Sequence, residues 1–340
     1  MNDTKRVIGG AARHRRGLTR RGFWLLVMGL LVWGSLPGEA GAQTVSREQL
    51  IFYTAEWEGD RFEDGRPKVA DDILERMKHV SIEEAWGVLG GAGYRNQFEG
   101  GWKMIHPHQT MVGRALTAVY MPARSELQQR MTEAGQKEGR IGAPNSWPID
   151  MLQPGDIYVA DSYGKIANGT LIGDNLGNAI YANSRNGVVF DGSVRDLEGL
   201  EKIEGFNAFV RGWDPTAIRD MMLMGLNTPT RIGNATVLPG DVVLCKREGA
   251  IFIPAHLAER VVRRSEVVRL RDQFGHLRLR EGKYTPGQID TRWTEDIRKD
   301  FSQWLSANIE ELSVPKESVL ELIETLKKPR EPRRRGRRSP

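Results

Sequence analysis

Two short stretches of this chain carry residue types that do chemistry together: Gly173-Asp174-Asn175-Leu176 and Arg195-Asp196, with twenty residues between Asp174 and Arg195. A glycine followed by Asp-Asn at a helix start leaves several backbone amides without intrahelical acceptors. With the helix dipole, those amides form a ready seat for a carboxylate or phosphate. The second stretch sets a guanidinium beside a carboxylate just after an apolar run. An Arg next to an Asp can be no more than a local ion pair. It can also lie at a strand end, where ligands collect in open α/β folds.

The elements that must position these residues are legible around them. Ile157 to Ala160 predicts a short buried strand launched by Pro154-Gly155-Asp156, and Val188 to Phe190 another, ended by Asp191-Gly192. A helix over Asn175–Arg185 fits between them, and Phe206 to Val210 predicts a third strand. Short apolar strands alternating with helices indicate an α/β domain, and ligands collect at strand ends in such folds. Upstream, Val69 to Leu89 has the spacing of helices packed on a sheet, Thr110 to Met121 reads as a strand, and Ser125 to Gly142 as a surface helix and loop. Downstream, Pro239-Gly240-Asp241 repeats the earlier turn before the apolar run Val242–Cys245, a weak hint of internal duplication. Pro254 opens a helix towards Leu270. A stripe from Trp293 to Ile309 predicts a further helix, and Pro315 sits where another would begin.

The run from Pro154-Gly155-Asp156 through Gly173-Asp174-Asn175-Leu176 and Asp191-Gly192-Ser193-Val194-Arg195-Asp196 to Val210-Arg211-Gly212 closely resembles the RraA-like family. The flanks Met111–Val119 and Gly249–Ala255 resemble it too, so the likeness spans roughly residues 69–265. The family includes 4-hydroxy-4-methyl-2-oxoglutarate aldolases and ribonuclease-inhibiting regulators, and was long mislabelled as menaquinone methyltransferases. The resemblance implies a compact αββα-type sandwich, swivelling β/β/α-like, that assembles as trimers or dimers of trimers with sites at subunit boundaries. It also implies that the amides of Gly173, Asp174, Asn175 and Leu176 hold the carboxylate of a pyruvate-like substrate. Arg195 would meet the 2-oxo oxygen, Asp196 would bind a divalent cation such as magnesium or manganese, and Asp174 would help move a proton. Cleavage beside a 2-oxo acid leaves an enolate, so a metal and an arginine suit the reaction. No lysine near the motif demands a Schiff base, although Lys165 is close in sequence. The expected function is a metal-dependent lyase cleaving or decarboxylating a 2-oxo acid, the alternative a non-catalytic binding or regulatory protein. Where family members often carry an acidic loop, this chain has Cys245-Lys246-Arg247-Glu248-Gly249, in which only Glu248 is acidic.

Charge is unevenly placed. Residues 1–42 carry +5 and residues 327–340 carry +7, which leaves −7 for residues 43–326 of a chain whose net charge is +5. The acidic body excludes reading the high isoelectric point as a nucleic-acid-binding domain. Arginines, the apolar run Phe23–Trp33 and Ala40-Gly41-Ala42 have the layout of a secretory signal, and Arg20-Arg21 the look of a twin-arginine one. The run is too short for a stable membrane span, which needs about 20 residues. The expected organisation is an export signal at 1–42, a lead-in segment at 43–68 and the RraA-like body at 69–275. A C-terminal helical extension follows at 276–326, then a disordered Arg/Pro-rich tail at 327–340. The protein is expected outside the cytoplasm. Cys245, the only cysteine, permits no intramolecular disulfide and reads as a buried thiol. His106-Pro107-His108 reads as loop histidines rather than a metal pair. Trp293 and Trp304 read as packing.

Overall fold

The computed structural model describes residues 43–328. The expected export signal, and all but the first two residues of the Arg/Pro-rich tail, lie outside the described residues. Ser46 and Gln49 form a capping box that starts α1 (Arg47–Tyr53). Ile73, Leu74 and Met77 bury one face of α2 (Asp71–Met77), and Ile82, Ala85 and Leu89 one face of α3 (Ile82–Gly91), at the helical spacing read from the sequence. Two short strands follow, β1 (Phe98–Glu99) and β2 (Lys103–Met104), then the long β3 (Met111–Pro122) and the polar surface helix α4 (Ser125–Lys137).

The central alternation is α5 (Trp147–Asp150), β4 (Asp156–Thr170), α6 (Asp174–Ser184), β5 (Val188–Val194), α7 (Leu197–Glu201) and β6 (Ala208–Trp213). After it come β7 (Met221–Leu226), the pair β8 (Thr230–Ile232) and β9 (Ala235–Val237), and the hairpin β10 (Val242–Lys246) and β11 (Gly249–Ile253). Among the described residues, nine strands form one mixed sheet in the order β1-β11-β10-β3-β4-β5-β6-β2, with β7 also pairing β3. The pairings β3–β4, β4–β5 and β5–β6 are parallel, so the ends of these strands that precede helices lie together.

Alternation along the strands divides the core. Leu116, Tyr158 and Phe190 face a layer with Ile180 of α6 and Leu200 of α7, while Val112, Leu244 and Ile251 meet α2, α3 and the long α8 (Ala258–Arg280). Their neighbours Ala115, Ile157, Val159, Val189 and Phe252 point the other way, against Ile232 and Val237 of the β8–β9 pair. Cys245 is buried on that second face, and burial pushes its thiol well above the usual range.

The mixed α/β architecture with extra C-terminal helices is the expected one, with local differences. β4 runs ten residues past Ala160, and β5 continues through Asp191-Gly192 to Val194. Polar partners carry these strands onward: Arg211 of β6 bonds Asp191 at 2.7 Å, and Ser162 donates to the Asp191 carbonyl. Pro315 lies at the N-cap rather than the first turn of α11 (Lys316–Lys327). The boundary drawn at 275/276 falls inside the continuous α8. The short α9 (Pro286–Ile289) and α10 (Glu295–Asn308) fold back on α8, where Phe274, Trp293, Phe301 and Leu305 make a separate apolar cluster with Val319 and Ile323 of α11. The apolar stripe of this extension is therefore largely buried within the chain itself. No helix among the described residues is long and apolar enough to cross a membrane.

Candidate functional site

After β4, the chain passes Leu171 and Ile172 before entering α6. Leu171 N donates to Ser193 O and Arg195 N donates to Ile172 O, both at 3.0 Å. These two bonds hold the strand-to-helix turn alongside the end of β5, which brings Gly173 against Arg195-Asp196 although they are far apart in sequence. Gly173 is the N-cap of α6, and no side chain caps that helix end. Its amides are left for a ligand, except that Asn175 N already bonds the Asp174 carboxylate at 2.8 Å.

Asp196 adopts a left-handed conformation, φ 56° and ψ 45°, at the N-cap of α7. Its carbonyl takes the first bonds of that helix, from Gly199 N and Leu200 N, while its side chain makes no cap. The carboxylate lies over Gly173 instead: a Cβ added there would stand 2.1 Å from Asp196 Oδ2 and 3.2 Å from Arg195 Nε. A non-glycine residue held in this region costs about 1–3 kcal/mol, and such strain clusters at functional sites. Arg195 Nε is 3.6 Å from Asp196 Oδ2, and the side chains are 42% and 44% exposed, so the pair is half open to solvent rather than a buried strut.

Gly173, Asp174, Asn175, Leu176, Arg195 and Asp196 thus line one hollow of about 80 Å³. All the residues singled out in the two motifs meet there. The hollow also has Asn145, Thr170, Ala217 and Ile218 in its wall, which sequence reasoning missed. Asn145 sits in a single turn, Pro144–Ser146, and donates through Nδ2 to Leu171 O at 2.7 Å. Its only local signal is the Pro-Asn-Ser turn itself. Lys165 does not line the hollow; its ammonium is 3.7 Å from Asp220. Glu248 lies in the β10–β11 turn and does not line it either. His106 and His108 belong to no metal-binding cluster, and among the described residues no three His, Cys, Asp or Glu side chains group to form one.

The hollow offers two carboxylates, Asp174 and Asp196, with the guanidinium of Arg195, the uncapped amides of α6 and the side-chain amides of Asn145 and Asn175. That oxygen-only donor set suits a hard divalent cation, which keeps several waters and takes ligand oxygens as well. It does not suit a cation that demands a full protein cage.

Residues 67–252 match the RraA-like family model, described as Aldolase/RraA, and the chain belongs to that family. Among the proteins similar to it is the protein DlpA of Legionella pneumophila, 24% identical over 206 residues, 59% of this chain and 31% of that protein. Another, from Halalkalibacterium halodurans, is provisionally named a 4-hydroxy-4-methyl-2-oxoglutarate aldolase; it is 27% identical over 113 residues, 33% of this chain and 53% of that protein. The chain thus spans about a third and about half the length of these two relatives. Among solved structures, Streptomyces coelicolor RraAS2, titled an unusual member of the RNase ES inhibitor RraA family, superposes with TM-score 0.53 at 22% identity, covering 62% of this chain and all of that one. The family therefore holds proteins named as aldolases and proteins named as ribonuclease inhibitors.

Proposed function

We propose that this protein is a divalent-metal-dependent lyase that cleaves or decarboxylates a small 2-oxo acid through a pyruvate enolate. The observation that carries the reading is the seating of the Asp196 carboxylate and the Arg195 guanidinium over Gly173, at the uncapped start of α6. In this reading the amides of Gly173, Asp174 and Leu176 hold the substrate carboxylate, that of Asn175 joins them once the Asp174 carboxylate turns to its proton, and Asn145 lies beside them. As the C3–C4 bond breaks, its electron pair forms the C2–C3 double bond of the enolate, and the carbonyl π electrons pass to the 2-oxo oxygen. Arg195 faces that developing charge with a planar, permanently charged fork. Asp174, at the edge of the same hollow, takes the proton from the C4 hydroxyl as that group becomes the carbonyl of the second product, and returns it to the enolate carbon C3. Asp196 would hold a magnesium- or manganese-like cation, which when bound supplies Lewis-acid polarisation of the 2-oxo oxygen. Oxaloacetate decarboxylation passes through the same enolate, so one site serves both reactions. The half-open hollow also fits the assembly the family resemblance implies, a trimer with sites at subunit boundaries.

The test is pyruvate release over a panel of 2-oxo acids with and without magnesium or manganese. Asp196→Asn keeps size and removes the charge, and is expected to lose activity by orders of magnitude. Arg195→Lys is expected to lose about 10²–10³-fold, the range for removing one oxyanion donor. If Asp196→Asn turned over substrate like the parent with unchanged metal dependence, the lyase reading would fall and the regulatory one would replace it.

A further inference from the structure

Two turns of the same sequence fold in the same way at the start of two strands. Gly155 and Gly240 have φ of +84° and +86°, and in each turn the aspartate caps the amide three residues back: Gln153 N to Asp156 Oδ2 at 2.9 Å, Leu238 N to Asp241 Oδ2 at 2.8 Å. Both aspartates are buried. Their surroundings differ in one respect. Asp156 is met by Arg66 at 3.0 Å and lies 3.7 Å from Arg114 Nε. Asp241 has backbone donors from Leu238 and Ala255, and among the described residues no lysine or arginine pairs with it. Instead it borders a cavity of about 550 Å³, within the range of small-ligand sites.

The rest of that cavity has a consistent chemistry. Trp57, Tyr53 and Tyr94 supply aromatic surface, and Glu56 a second carboxylate. His256, 3.4 Å from the Tyr94 hydroxyl, is held below its ordinary pKa by burial, which disfavours a positive charge on it. Arg95 stands exposed in the wall, where water screens it. Tyr53 to Trp57 precede the family-matched span and His256 lies just beyond it. We propose that this cavity binds a small organic cation, an alkylammonium or guanidinium compound. Its charge lies between Asp241 and Glu56 and its carbon skeleton against Trp57 and Tyr94. The ligand cation does for Asp241 what Arg66 and Arg114 do for Asp156, and aromatic faces strengthen cation binding in a partly desolvated site.

The proposal is independent of the lyase reading. Burial without a cation pushes Asp241 up to about 7, so near pH 7 it is about half protonated. A bound cation favours its ionised form, and binding releases up to about half a proton. The other ionisable groups facing it are Glu56 and Tyr53 from the lead-in segment, Tyr94 and Arg95 after α3, and His256 after β11.

The experiment is isothermal titration of the full chain near pH 7, in buffers of different ionisation enthalpy. The probes are butylammonium and butylguanidinium, with butanol and butyrate as neutral and anionic counterparts. Both cations are expected to bind at least about tenfold more tightly than the counterparts and to release protons. Glu56→Gln, at an exposed position that the fold does not need, and Asp241→Asn are each expected to weaken cation binding by about tenfold. Asp196→Asn is expected to leave it unchanged, so this result stands apart from the fate of the lyase reading. Equal binding of butanol, binding of neither cation, or indifference of cation binding to Glu56→Gln would each overturn the proposal.

Discussion

Gly173→Ala separates the site from the fold. The backbone there is extended, φ −118° and ψ −165°, which alanine adopts without strain. The conflict is with the site: the new Cβ would stand 2.1 Å from Asp196 Oδ2, whereas ordinary contact begins near 3.4 Å. The carboxylate must therefore retreat by about 1.3 Å, and being 44% exposed at the end of a side chain it can swing into water. The stability cost is then no more than that of a lost N-cap preference, about 1 kcal/mol or less, or a few degrees in Tm for a chain of this size. The chemical cost is larger, because a misplacement of about 1 Å in a reacting constellation costs about 10²-fold. Circular dichroism melting alongside pyruvate release with saturating metal measures both. A folded Gly173→Ala protein with the parent's kcat/KM would refute the placement of Asp196 in the reacting centre. Loss of the fold would refute the claim that the contact is functional rather than structural.

Asp241 predicts a pH dependence of stability. Its folded pKa of about 7 lies above the ordinary 3.8. Between these values the native state keeps a proton that the unfolded chain has released. That contribution is full below the unfolded value and is lost as pH rises through about 7, at no more than about 1.4 kcal/mol per pH unit. Urea unfolding should show Asp241→Asn losing less stability than the parent between acid and alkaline pH, and parallel curves would refute the assignment. Light scattering at micromolar concentration is expected to give a trimer or a dimer of trimers, and a fully active monomer would exclude a shared site.

The motif residues were legible because their local chemistry is also their tertiary role. A glycine before Asp-Asn marks a helix start, and Arg195-Asp196 follows an apolar strand. The rest depended on partners distant in sequence. Asn145 enters the hollow through a bond to Leu171, across α5 and the whole of β4. Asp191-Gly192 looked like a strand end because a polar residue and a glycine usually end one. Arg211, in turn bonded to Glu99, satisfies Asp191 and lets the strand continue. Arg114 sits in an apolar run, yet it is buried with its guanidinium on the Val69 and Pro154 carbonyls. The stripe from Trp293 was legible as a helix face, but its partner, the second half of α8 around Phe274, was not.

The placement of the added segments bears on substrate choice. The residues lining the hollow run from Asn145 to Ile218, all inside the family-matched span. The lead-in segment and the long C-terminal helix attach elsewhere, through Arg66 on Asp156, Arg76 on Glu266 and Ser265 on Glu84. Thr44 accepts from Arg140 at 2.9 Å, on the segment that leads to Asn145, and Gln43 bonds Leu223 and Leu226 of β7, past Ile218. So the segments outside the family-matched span do not touch the proposed chemistry directly. In the proposed lyase, the motif residues of a single copy are committed to the carboxylate, the 2-oxo oxygen and the cation. Discrimination between one 2-oxo acid and another then falls to the wall outside the motif, where Asn145 offers a polar contact and Ala217 and Ile218 an apolar one. A substrate with a polar group beyond the reacting carbon would need Asn145, or a residue from a neighbouring copy, because the apolar side of the hollow gives such a group no partner.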